Sequence, residues 1–298
     1  MTTSLDQIEA TVEAGGRLTG ADIDVLFDMD LLDLGALADQ CRRIRHGDRV
    51  TFVRVTQVSA TSGPNMPIDV PPGANEVRLV GCPSDADDAL ALTRRLVSLA
   101  GSVPVTGFVL DELAEMCGSD PGRLDELLAQ LVDAGLSSIA EACVDRMDDT
   151  RWLEVASRTG LPVARLTVAA PSVPPVSMAR RVAEWGTAVA GVRAFAPLTR
   201  TIGPNPSTGY EDVRQVALAR LLVDNIDSIQ VDWMLYGPKL AQVALTFGAD
   251  DVDGISALDS LEHGRRRTPV EEITRNITAA AFVPVQRNGR FETVPALR

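Results

Sequence analysis

Short apolar segments alternate with longer helical patterns through most of this 298-residue sequence. The segment "EVRLVGC" precedes "SDADDALALTRRLVSLAG", in which Ser84 is placed to cap a helix, and "SIQVDWML" precedes "GPKLAQVALTFG". Strands that alternate with helices of ten to fifteen residues are typical of βαβ units. The alternation therefore predicts a parallel sheet covered by helices.

The number of segments favours a closed or nearly closed barrel. We count up to eight strands with no long polar linker between two halves, and neither GxGxxG nor GxxxxGK[ST] follows any of them. An open doubly wound sheet usually carries such a phosphate-binding turn. The sequence therefore predicts one (β/α) TIM-type barrel domain, with a helical segment at 1–49, the barrel at 50–255 and a C-terminal extension at 256–298.

The charge and the spacing of the cysteines exclude several kinds of partner and site. The net charge is −13, from 41 acidic and 28 basic residues, which disfavours nucleic acid and anionic membranes as partners. The first residues lack the apolar core of a signal peptide, and no apolar run is long enough for a membrane span, so we expect a cytoplasmic protein. The four cysteines are far apart, which predicts small buried side chains rather than disulfides or close-pair metal sites.

Several stretches carry a resemblance to a known family. "LGALADQCRRIRHGD", "WMLYGPKLAQVALTFGADDVDG" and "HGRRRTPVEEITRNITAAAFVPVQRNGRF" strongly resemble the aminofutalosine synthase-like branch of the radical S-adenosylmethionine (SAM) superfamily, in the futalosine route to menaquinone. Cyclic dehypoxanthine futalosine synthase and the ring-forming enzymes of deazaflavin synthesis resemble it less closely. "LLAQLVDAGLSSI", "RAFAPL" and "VRQVALARLLVDNI" follow in the family's order, so the resemblance covers nearly the whole chain.

The same resemblance implies residues that this chain lacks. The family holds a 4Fe–4S cluster through CxxxCxxC after the first strand, and the matching loop here is "SATSGPNMPIDVPP". After the second strand, Gly81-Cys82-Pro83 lacks the family's histidine, and "SSIAEACVD" replaces a glycine-rich stretch beside SAM. We therefore expect no iron–sulfur cluster, no SAM and no other cofactor.

Arginines within the predicted strands are the first candidates for a ligand site. We expect at least two of Arg54, Arg78 and Arg193 to face the barrel interior and meet near its axis, because an outward arginine would be buried against apolar helices. Two interpretations stay open, an anion site or ion pairs that fill the vacated interior. The candidate arginines are Arg54, Arg78, Arg165 and Arg193, and their candidate acidic partners are Glu76, Glu141, Asp145 and Asp232.

The segments after the last strands supply further candidates. Trp233 and Tyr236 follow the seventh strand, where they would either stack on a ligand ring or pack in the core. In "GADDVDG", Asp251 and its neighbours Asp250 and Asp253 do not fit a calcium loop, which favours a structural or substrate-side polar role.

Two functional hypotheses remain at this point. The first is a non-catalytic homologue, or pseudoenzyme, of menaquinone biosynthesis that binds an active aminofutalosine synthase-like paralogue, a second copy of itself or a small anionic metabolite. The second is a cluster-independent enzyme that acts on an anionic nucleoside-like or aromatic carboxylate substrate. No catalytic residue is assigned, since no acid–base pair replaces the missing groups.

Overall fold

The computed structural model describes residues 5–18, 20–61, 68–170, 175–201, 207–259 and 268–295. Eight parallel strands run in the order β2-β3-β4-β5-β6-β7-β8-β1, and pairing of β2 with β1 closes the barrel. The predicted (β/α) barrel is confirmed. The strands are β1 (Arg49–Ser59), β2 (Glu76–Val80), β3 (Val105–Val109), β4 (Ser138–Cys143), β5 (Val163–Val168), β6 (Ala194–Thr199), β7 (Ser228–Asp232), β8 (Asp251–Ser256) and a ninth, β9 (Val283–Arg287).

Helices surround the barrel and precede it. Within the described residues, none is long and apolar enough to cross a membrane. The helices are α1 (Leu5–Glu13), α2 (Gly20–Asp28), α3 (Leu31–His46), α4 (Ala86–Ala100), α5 (Leu110–Met116), α6 (Pro121–Asp133), α7 (Arg151–Thr159), α8 (Pro175–Glu184), α9 (Gly209–Leu222), α10 (Trp233–Leu245) and α11 (Pro269–Ala279).

The N-terminal helices pack on the barrel wall through α3. Asp30 caps this helix by accepting a hydrogen bond from the Leu32 amide at 2.8 Å. Its buried side packs against α9. A Cβ atom at Gly35 would lie 2.6 Å from the Phe247 ring, so glycine permits the close approach of this helix.

The connection from β1 to β2 departs from the βα pattern. Residues 60–61 and 68–75, the described part of this connection, contain no helix. The Ala74 amide donates to the Pro71 carbonyl at 2.9 Å, which forms a tight turn just before β2. The wall outside β1 is therefore covered by an irregular segment where a barrel usually places a helix.

The C-terminal extension joins the sheet. The strand β9 pairs in parallel with β1 from Arg49↔Val283 to Val53↔Arg287, whereas β2 pairs with the later part of β1. The chain then crosses the N-terminal end of the barrel, where the Gly289 amide donates to the Asn75 carbonyl at 3.1 Å. A Cβ atom at Gly289 would lie 2.9 Å from Cγ of Glu76. This segment covers the end of the barrel opposite to the strands' carboxyl ends.

Candidate functional site

A cavity of about 250 Å³ opens at the carboxyl ends of the strands. Active sites of α/β barrels lie at this end. A larger groove of about 560 Å³ is lined by α11 alone and lies away from the strand ends, so we take the smaller cavity as the candidate site. Its lining residues are Gln57, Arg78, Leu79, Val80, Gly81, Phe108, Val109, Ala140, Glu141, Arg165, Arg200, Asp232, Met234 and Leu235.

Asp253 is the centre of the charged network beneath this cavity. Arg78 donates to both of its carboxylate oxygens at 2.8 Å, and Arg165 donates to Oδ2 at 2.5 Å. Arg78 also donates through Nε to Glu76 at 2.7 Å, and the Thr106 hydroxyl donates to the same Glu76 oxygen at 2.6 Å. The two arginines thus bind carboxylates of the protein itself.

A second set of ion pairs lies nearer the cavity. Glu141 accepts a hydrogen bond from Nε of Arg165 at 3.3 Å, and the same oxygen lies 3.6 Å from a terminal nitrogen of Arg200. Arg200 also donates to Asp232 at 3.0 Å. Asp232 in turn caps α10 by accepting from the Met234 and Leu235 amides at 2.8 and 3.0 Å.

These contacts keep the carboxylates ionised. Burial alone would raise the pKa of Asp253, but Arg165 and Arg78 outweigh it and hold that pKa well below its ordinary value. For Glu141 burial likewise opposes ionisation, and Arg165, Arg200 and Arg78 together lower its pKa. Neither carboxyl group is poised to exchange a proton near neutral pH.

A third group of buried charges lies at the other end of the barrel. Arg287 of β9 donates to both oxygens of Asp251, at 2.6 and 2.7 Å. Gln230 donates to the same carboxylate at 2.7 Å, and so does the Thr51 hydroxyl at 2.5 Å. Asp251 therefore serves the closure of the barrel and does not line the cavity.

The expected meeting of two arginines from the set Arg54, Arg78 and Arg193 is wrong, because only Arg78 reaches the interior. Arg193 is exposed and lies just before β6, so it is not a strand residue. Val55 pairs with Glu76 and Gln57 pairs with Arg78, which places those side chains inside and Arg54 on the outer face.

Arg54 is nevertheless buried, because the irregular β1–β2 connection covers it. It donates to the Ala257 carbonyl at 2.8 Å and to Asp259 at 2.6 Å. A Cβ atom at Gly73 would lie 2.6 Å from the guanidinium carbon of Arg54. The assumption that an apolar helix covers every outward side chain fails at β1.

The aromatic candidates lie beside the cavity without lining it. Trp233 is buried in the core, and the Tyr236 hydroxyl donates to the Thr199 carbonyl at 2.5 Å. Burial is the main cause of the raised pKa of Tyr236. Their neighbours Met234 and Leu235 face the cavity instead.

Sequence reasoning missed Arg200 and Phe108. Arg200 directly follows β6 and lay just beyond the segment "VRAFAPL". Phe108 is buried in β3 with a φ of +65°, a conformation that a bulky residue rarely adopts, and it lines the cavity. Nothing in the sequence around Phe108 signals this backbone conformation.

The residues near the mouth do not fit an iron–sulfur cluster. Cys82 is exposed after β2, while burial raises the pKa of Cys143 to about 12, so Cys143 remains a thiol. Among the residues that the structure describes, no three histidines, cysteines or acids are grouped to hold a metal ion. Residues 62–67 of the loop and His263 lie outside the described residues, and residues 62–67 contain no cysteine.

The barrel fold is shared with solved structures of other proteins. The fold is similar to that of methylornithine synthase, with a TM-score of 0.68, 15% identity and coverage of 93% of this chain and 97% of that one. HydG, a hydrogenase maturase, follows with a TM-score of 0.64, 13% identity and coverage of 94% and 74%.

The sequence comparisons support a radical SAM-like barrel protein. Residues 196–297 match the CofH/MqnC C-terminal region. Aminodeoxyfutalosine synthase of Streptomyces coelicolor is 24% identical over 362 residues, covering 96% of this chain and 93% of the relative. Cyclic dehypoxanthine futalosine synthase of the same organism is 24% identical over 346 residues, covering 94% and 86%. The resemblance to the aminofutalosine synthase-like branch is confirmed.

Proposed function

We propose that this protein is a non-catalytic homologue of the futalosine-pathway barrels, which has lost the cluster and SAM and retains a small ligand pocket. The observation that carries the proposal is the pairing of Arg78 and Arg165 with Asp253 in the barrel interior, beneath the cavity. These side chains use the interior for charge pairs, which stabilise a fixed arrangement and offer no group for proton transfer.

The alignments with the relatives support this loss. They extend over 362 and 346 residues, more than the 298 residues of this chain. The chain therefore lacks internal segments that the relatives possess. A β1–β2 connection without a helix in its described part is consistent with one such deletion at the cluster loop.

The pocket supports a role in binding. A volume of about 250 Å³ suits a small metabolite, and barrels keep ligand sites at this end even when their chemistry changes. Such a protein would act beside menaquinone biosynthesis as a metabolite-binding subunit, alone or with an active paralogue. The cluster-independent enzyme of the second hypothesis needs a carboxyl group with a raised pKa in the lining of the cavity, whereas the pKa of Glu141, which lines it, is lowered.

Anaerobic reconstitution tests the proposal. The purified protein, incubated with iron, sulfide and a thiol, is expected to show no charge-transfer absorbance of a 4Fe–4S cluster. The aminodeoxyfutalosine synthase of Streptomyces coelicolor, treated in parallel, serves as the positive control. Stoichiometric cluster incorporation, or saturable SAM binding of micromolar affinity by calorimetry, would overturn the proposal.

A further inference from the structure

We infer that the cavity at the carboxyl ends of the strands takes a small zwitterion with an apolar side chain, the chemistry of a free aliphatic amino acid. The inference rests on the proposed binding function and names its ligand class. It replaces the expectation of an anionic ligand, which assumed that the strand arginines would be free of protein carboxylates.

The charge balance around the cavity argues against an anion. Each guanidinium group here already contacts a carboxylate of the protein, and the set carries one net negative charge. A ligand with a further negative charge would add repulsion, whereas a ligand of zero net charge would not. The set comprises three arginines, Arg78, Arg165 and Arg200, and four acids, Glu76, Glu141, Asp232 and Asp253.

Arg165 offers a donor for a carboxylate. Its Nε and Nη1 atoms bind Glu141 and Asp253, whereas Nη2 donates to no residue within the described ranges. The side chain is only 3% exposed, and it lines the cavity. A ligand carboxylate oxygen can accept a charge-assisted hydrogen bond from this donor.

Glu141 offers an acceptor for an ammonium group. Its Oε2 atom contacts both Arg165 and Arg200, while Oε1 accepts no hydrogen bond from the part of the chain that the structure describes. The side chain is 17% exposed and faces the same cavity. A free donor and a free acceptor therefore lie on adjacent strands, paired in register through Glu141 and Arg165.

Apolar residues from three elements also line the cavity, beside Gln57, Arg78, Arg200 and Asp232, and they favour an apolar remainder of the ligand. Leu79 and Val80 come from β2, Phe108 from β3, and Met234 and Leu235 from the start of α10. Desolvating a charged or strongly polar tail against these side chains would be unfavourable. A branched aliphatic side chain fits both their chemistry and a volume of about 250 Å³.

Calorimetry with three matched probes tests the inference. L-leucine carries both charges, isoamylamine lacks the carboxylate, and 4-methylpentanoate lacks the ammonium group. L-leucine is expected to bind at least tenfold more tightly than either analogue. Equal or tighter binding of 4-methylpentanoate would show an anion site, and absence of binding by all three would also overturn the inference.

Two variants locate the site. Glu141→Gln keeps the shape of the side chain and removes its charge, so it is expected to weaken L-leucine binding at least tenfold and to spare 4-methylpentanoate. Asp149→Asn changes an exposed residue outside the cavity lining and should bind L-leucine as the wild type does. If Glu141→Gln binds L-leucine as tightly as the wild type does, the inference is overturned. Cluster reconstitution is a separate readout, so the proposed non-catalytic role can stand if this inference fails.

Discussion

Arg78 and Asp253 form a bidentate ion pair across the barrel interior, with two hydrogen bonds of 2.8 Å. They belong to β2 and β8, the strands on either side of β1. Both side chains are buried, and Arg165 shares the same carboxylate. Such a buried network is stable only while every partner is present, because removal of one partner leaves a charge that bulk water cannot solvate.

Removal of the central carboxylate is expected to destabilise the protein strongly. Asp253→Asn keeps the volume of the side chain but leaves Arg78 and Arg165 with one fewer neutralising charge. Loss of one member of a buried pair costs about 3–5 kcal/mol. Urea unfolding at pH 7 measures the change in the free energy of unfolding. The exposed pair of Asp149 with Arg151 gives the control, and Asp149→Asn should leave that free energy unchanged.

The lowered pKa values of these carboxyl groups determine how the free energy of unfolding depends on pH. Arginine neighbours lower the pKa values of Asp253 and Glu141 against the effect of burial. Their contribution is therefore complete above the unfolded pKa values of about 4 and is lost as the pH falls through the folded values. Burial raises the pKa of Asp111, so protonation of this carboxyl group favours the folded state as the pH falls, opposite to the effect of Asp253 and Glu141. We expect the free energy of unfolding to fall below about pH 4.

The Asp253→Asn variant tests the origin of that fall. Urea unfolding between pH 7 and pH 2.5 should give a shallower decline for the variant than for the wild type, because the variant has one fewer carboxylate to protonate. Parallel declines would assign the acid sensitivity to other groups.

We expect that the buried side chain of Arg54 leaves room only for glycine at position 73 of the β1–β2 connection. Gly73→Ala would place a Cβ atom against the buried guanidinium group and should cost about 1–3 kcal/mol, as overpacking does. In an Arg54→Leu background the penalty should shrink, and a double-mutant cycle measures the coupling. Gly191→Ala is the matched control, because nothing lies within 4 Å of its added Cβ atom. Equal penalties at both glycines would contradict the packing described for Arg54.

The sequence predicts the barrel well because each strand is a local apolar pattern. It does not predict β9, which follows a helix, contains Pro284 and depends for its pairing on β1. The pairing of Arg78 with Asp253 is equally non-local. Each residue is visible as a charge within an apolar segment, but their contact depends on closure of the barrel.

The errors at Arg54 and Arg193 have different physical causes. For Arg193 the strand begins at Ala194, two residues after the start of the segment "VRAFAPL", so the rule of alternation does not apply to it. For Arg54 the alternation rule holds, but the outer wall has no helix there. Strand boundaries and missing helices are set by tertiary packing, which a single sequence does not display.

The pairing of β1 with β9 has a consequence for synthesis. During translation the first strand emerges long before the last, so part of its hydrogen-bonding edge stays open while the intervening strands assemble. Asp251 must also wait for Arg287 before its charge is neutralised. A nascent chain that stalls before β9 therefore presents both an unpaired strand edge and an uncompensated carboxylate, features by which proteases and chaperones would distinguish it from the finished protein.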